Sequence, residues 1–151
     1  MKMLVCIDGS EQSQKAMNKA MDLAKAYELN EVSLIHVYES TQKSYWLASG
    51  EGYAPSQEDL ERLQRMQTKI LDQRKKMMDE AAIEFEKVGI DVEMILEEGH
   101  PSNTIAKVAD DGNYDLVVLG SRGLGGLKKI FLGSVSSAVI QDTKASVLVV
   151  K

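Results

Sequence analysis

The residues that could do chemistry cluster in one stretch, Gly120-Ser121-Arg122-Gly123-Leu124-Gly125-Gly126, continued at Gly133-Ser134-Val135. It follows Asp115-Leu116-Val117-Val118-Leu119, a short apolar run rich in β-branched residues that reads as a buried strand. It precedes Ser134 to Ile140, whose apolar residues at 135, 138 and 139 suit one face of a helix. The order is therefore strand, glycine-rich loop, helix. Glycines let a backbone come close to a ligand and let successive amides turn inward. The helix start at Gly133-Ser134 adds unpaired N–H groups, a positive dipole end and a hydroxyl, which together suit phosphate. The same residues also suit a surface loop ending in a glycine helix cap. Two familiar phosphate loops do not fit. No lysine precedes Ser134, as a P-loop requires, and the spacing does not make the tight turn of a G-x-G-x-x-G dinucleotide loop.

Composition narrows the classes of function. The chain has 151 residues, enough for one domain over 1–151 with its own core. One cysteine and two histidines leave no intrachain disulfide framework and no Cys/His metal cluster. A net charge of −5 without a basic tract argues against nucleic acid and anionic membranes as partners. No segment has the length of a membrane span, and Met1 to Ile7 is too short for a signal peptide, so a cytoplasmic location is expected.

The elements that must position the loop follow from periodicity. Met3 to Ile7 is a continuous apolar run of the kind buried on both faces of a parallel sheet, with Cys6 as a small core residue. Asp8-Gly9-Ser10 ends it, and Ser10 caps a helix carrying Ala16, Met17, Ala20, Leu23, Ala24 and Tyr27. Val32 to Tyr38 is a second strand, whose His36 reads as a hydrogen-bonded core histidine rather than a catalyst. Residues 39 to 55 form an irregular insertion with Tyr45, Trp46 and Tyr53, expected to cover the site. Ser56 and Asp59 open a long helix reaching Val88, about 48 Å at 1.5 Å per residue, whose first half should project beyond the sheet. Met66, Met77 and Met78 on it read as gap-filling core. Asp91 to Glu97 sets Val92, Met94 and Leu96 against Glu93, Ile95 and Glu97, the alternation of an edge strand. A turn at Gly99 to Ser102 leads into a short helix, and Ser146 to Val150 is the last strand. This order predicts a three-layer, doubly wound α/β fold, Rossmann-like, with a five-stranded parallel sheet in the order 3-2-1-4-5. Asp8 and Gly120 then meet at the switch point, where such sheets bind ligands. The last strand, apolar on both faces yet at an edge, is expected to pair with its own copy in a homodimer through residues 146 to 150.

The pattern Gly120-x2-Gly123-x9-Gly133-Ser134 resembles the ATP-binding motif of the universal stress protein family. The resemblance extends over nearly the whole chain, through Asp8 and Ser10, His36-Val37 and Gly99-x-Pro101. It implies an adenine-nucleotide fold, usually dimeric, with ATP-binding and non-binding branches; the intact glycines place this chain with the first. It further implies that Cys6, Ile7 and Val37 border the adenine. Gly120, Ser121, Arg122 and Gly123, with Gly133, Ser134 and Val135, would hold ribose and phosphates. Asp8 would sit at the nucleotide, toward a Mg²⁺ bound through the phosphates. Two residues depart from the family pattern: His100 where aspartate is frequent, and Ser146 where proline is. The function so implied is a nucleotide-dependent signalling or stress-response module with hydrolysis slow or absent and no catalytic residue assigned. An enzyme of the same fold, adenylating or ATP-hydrolysing, and a dimeric interaction module without nucleotide are the alternatives. An enzyme would need a positioned base or extra cations, and only Arg122, Lys128 and Lys129 in the loop are basic.

Overall fold

The computed structural model describes residues 1–39, 55–125 and 132–151. The expected cover at 39 to 55, including Trp46, lies outside the described residues apart from its two ends, and so do Lys128 and Lys129.

Strands and helices alternate as β1 (Met3–Cys6), α1 (Glu11–Ala26), β2 (Glu31–Tyr38), α2 (Gln57–Glu86), β3 (Asp91–Glu98), α3 (Pro101–Asp111), β4 (Leu116–Gly120), α4 (Ser134–Asp142) and β5 (Ser146–Val150). They form one parallel sheet in the order β3-β2-β1-β4-β5, the order expected. Every residue of β1 is buried, because helices cover both sides of it. On one face, Met3, Val5, Leu34 and Val118 pack against α1 and the end of α2. Ala16, Ala20 and Ala24 recur every fourth residue on α1 and, with the larger Met17, form its buried face against the strands. On the other face, Leu4, Ile35, Val117 and Leu119 pack against Ile105 and Ala109 of α3 and Val139 of α4. The helices after β1 and β4 therefore go to opposite faces, which opens a crevice above the two central strands.

The long helix begins with a reciprocal capping box: Ser56 Oγ accepts from the Asp59 amide at 3.1 Å, and the Asp59 carboxylate accepts from the Ser56 amide at 3.0 Å. Its 30 residues span about 45 Å. Its buried residues are Met78, Ala81, Ala82 and Phe85, all near its end, so the earlier turns stand clear of the core as expected. Of the three methionines, Met78 is buried and Met77 packs against the core, but Met66 is exposed. The apolar spacing continues into turns that the buried core does not reach, and Met66 there is exposed. The alternation of β3 is likewise only half realised: Val92 is partly buried, whereas Met94 and Leu96 are exposed. The helix covers the beginning of this edge strand and not its end.

Candidate functional site

Above the carboxyl ends of β1 and β4 lies a hollow of about 510 Å³. Ten of the residues expected at the site line it: Cys6, Ile7, Asp8, Val37, Gly120, Arg122, Gly123, Gly133, Ser134 and Val135. Ser121 does not. It is buried beneath the loop, where its amide donates to the Val150 carbonyl at 2.6 Å and its carbonyl accepts from the Gly133 amide at 2.7 Å. Ser121 thus ties the loop to β5 and to the start of α4. Sequence reasoning missed Ser13, Ile35, Pro101, Ile105, Leu119 and Ser136 on the walls. The apolar members were legible only as core, since nothing in a strand or helix period says that the core is open at that point.

The floor on the β1 side is a locked turn. Asp8 Oδ1 accepts from the Ser10 amide at 2.9 Å, and the Asp8 amide donates to Ser13 Oγ at 3.2 Å. Gly9 between them has φ +80°, a left-handed conformation that glycine adopts without strain. Ser10 Oγ closes the arrangement by accepting from the Ser13 amide at 3.1 Å, so the cap of α1 also aims Asp8.

The glycine loop faces this turn. A Cβ on Gly123 would stand 2.6 Å from Asp8 Oδ2, and one on Gly120 would stand 2.8 Å from the Gln12 carbonyl carbon in α1. Gly120 is therefore required by the protein's own packing against the α1 backbone, whereas a side chain at Gly123 would have to displace the Asp8 carboxylate. Gly133 is the N-cap of α4 and supplies no side-chain cap, so the first amides of that helix face the hollow without one. Ser136 Oγ instead donates to the carbonyls of Ser121 at 3.1 Å and Gly133 at 3.0 Å, holding the loop against the helix. An open helix start of this kind presents N–H groups and a positive dipole to an anion.

The remaining groups set the electrostatics. Burial, reinforced by the Asp8 carboxylate, pushes the Cys6 thiol up to about 12, so Cys6 is a neutral wall residue rather than a nucleophile. Arg122 is the only cationic side chain among the described residues lining the hollow. His36 points its Nδ1 at the Ile7 carbonyl, 2.8 Å away. A carbonyl only accepts, so the proton is on Nδ1, and the ring braces the end of β1. Among the described residues no cluster of three or more His, Cys, Asp or Glu side chains could hold a metal by itself. No helix described is long and apolar enough to cross a membrane.

Comparison with known proteins agrees with this architecture. The model of the Universal stress protein family matches residues 1–151. The chain is 33% identical over 150 residues to Universal stress protein YxiE of Bacillus subtilis, covering 99% of this chain and 98% of that protein. It is 34% identical over 155 residues to Universal stress protein MJ0577 of Methanocaldococcus jannaschii, covering 99% and 94%. The solved structure of MJ0577 superimposes with a TM-score of 0.80 at 31% identity, over 99% of this chain and 94% of that one. A protein of the same family from Arabidopsis thaliana, solved with AMP bound, gives a TM-score of 0.66 at 18% identity, over 100% and 91%, a likeness of fold. By sequence along its whole length and by its fold, the chain belongs to the universal stress protein family.

Proposed function

We propose that the protein binds ATP with Mg²⁺ in the hollow between β1 and β4 and acts as a nucleotide-dependent signalling module of the stress response, with hydrolysis slow or absent. The observation that carries this reading is the meeting of an apolar slot with an open helix start. Cys6, Ile7 and Val37 wall the slot, and the uncapped amides of α4 stand beside it. A planar base suits the first and phosphates the second. The AMP in the Arabidopsis relative is of the same chemical class.

Asp8 fits a magnesium partner as far as its donors go. Its Oδ1 is committed to the Ser10 amide, leaving Oδ2 beside Gly123. One carboxylate is what Mg²⁺ typically takes from a protein when phosphates supply further oxygens. Bound there, the ion would neutralise phosphate charge and orient the chain of phosphates. The protein's own contribution is to hold and shield. The Ser13 hydroxyl accepts from the Asp8 amide and the Ser136 hydroxyl donates to backbone carbonyls, so both help shape the walls. The direct test is to purify the protein without added nucleotide, denature it and chromatograph the supernatant, alongside calorimetric titration with Mg·ATP. An adenine nucleotide in the supernatant, or saturable heat, is expected. Neither being seen would overturn the reading.

A further inference from the structure

A second and wider hollow, of about 900 Å³, runs beside the first and shares its rim at Asp8, Val37, Pro101, Leu124, Ser134 and Val135. The unburied middle of α2 forms its outer wall with Ile70, Arg74 and Met77, and the end of β2 contributes His36 and Tyr38. A mononucleotide does not need this room. Pockets for ligands of that size run from roughly 300 to 1,000 Å³, and the first hollow, at about 510 Å³, is already within that range.

The lining indicates what the surplus space suits. The Arg74 guanidinium lies over the Tyr38 ring, 4.3 Å from its centroid. None of the ion pairs found among the described residues involves Arg74. Ile70, Met77 and Ala138 make the walls largely apolar, while Asp8 and Glu39 on the same lining oppose a bare polyphosphate tail. A nucleobase meets these conditions, because it is planar, uncharged and stacks on guanidinium and aromatic faces alike. His36 adds a matching polar group. In the tautomer that donates from Nδ1 to the Ile7 carbonyl, Nε2 is an acceptor, suited to an exocyclic amino group.

We propose that the second hollow is a base-binding subsite, and that the ligand class matching the whole site is a dinucleotide. One nucleoside would occupy the first hollow and be joined through phosphates to a second base stacked at Arg74 and Tyr38. This rests on the nucleotide reading above and deepens it. The test is calorimetric titration of the full chain with Mg²⁺ and, in turn, ATP, adenosine tetraphosphate and diadenosine tetraphosphate. The last two differ by the second nucleoside. Diadenosine tetraphosphate is expected to bind about tenfold or more tighter than adenosine tetraphosphate, the order of effect of one stacked base, at one ligand per chain. Arg74→Ala is expected to bring that ratio close to one, and Arg74→Lys to keep only part of it. Equal affinities in the wild type, or one ligand bridging two chains, would overturn the subsite while leaving the nucleotide reading intact. Failure of all three ligands to bind would overturn both.

Discussion

Asp8 and Gly123 constrain each other: the carboxylate sits where a methyl on the glycine would go, at 2.6 Å. Gly123→Ala should therefore displace Asp8 without filling the slot. If Asp8 helps hold Mg²⁺, the variant should lose the advantage that Mg²⁺ gives to ATP while retaining metal-free binding, as read by titration with and without the ion. Gly133→Val acts differently. Even a Cβ there would be 3.2 Å from the Ser121 carbonyl oxygen, so a branched side chain must push the loop, and on the proposed reading it would also crowd the phosphates. Affinity for Mg·ATP is expected to fall by about tenfold or more, or about 1.4 kcal/mol, with the far-ultraviolet dichroism unchanged. Cys6 offers a third measurement at this scale. With its thiol at about 12, alkylation at pH 8 should be thousands of times slower than for an ordinary thiol near 8.5, to order of magnitude. Unfolding in urea should restore the ordinary rate.

Among the elements, two polar ties act away from the site. Tyr114, just before β4, donates to Ser33 Oγ on β2 at 2.8 Å, and Ser33 Oγ donates in turn to Glu93 on β3 at 2.8 Å, linking three segments. Tyr114→Phe removes the first link and should lower stability by about 1 kcal/mol, seen as a shifted urea midpoint with an unchanged slope. Asp110, on α3, accepts from the Lys144 amide at 2.9 Å and the Thr143 hydroxyl at 2.7 Å, pinning the chain between α4 and β5. Those hydrogen bonds, the amide of Lys144 first, hold its pKa below the ordinary 3.8. The folded state therefore releases this proton more readily than the unfolded one. Its contribution is present above pH 3.8 and is lost as pH falls through the lower folded value. Asp110→Asn should accordingly lower the neutral plateau toward the acid value, flattening the acid side of the stability curve.

At the scale of the whole molecule, β5 ends the sheet opposite β3. Val147, Leu148, Val149 and Val150 are each only partly buried, whereas Val117 and Val118 in the adjacent strand are fully covered. An apolar edge with free ladder positions favours pairing with a second copy around a two-fold axis, which closes the assembly. We propose that dimer, and light scattering at tens of micromolar should give twice the chain mass of 16.7 kDa; the monomer mass would overturn it.

What the sequence determined by itself was periodic or local. Continuous apolar runs in β1 and β4, the cap at Ser10 and the box at Ser56 and Asp59 declare their elements through nearest neighbours, and the β/α alternation leaves few right-handed sheet orders. The glycine spacing was legible as well, but its physical cause was not. That Gly120 makes room for α1, that Gly123 makes room for Asp8, and that Ser121 anchors the loop instead of lining it depend on contacts across more than a hundred residues or between separate layers. The same holds for Met66, Met94 and Leu96, which keep an apolar pattern yet stay exposed. The second hollow is the clearest case. Arg74 and Tyr38 come from different elements, α2 and β2, and only their packing in the fold makes them neighbours. Periodicity tells which side of an element is apolar; only packing decides where the covering stops.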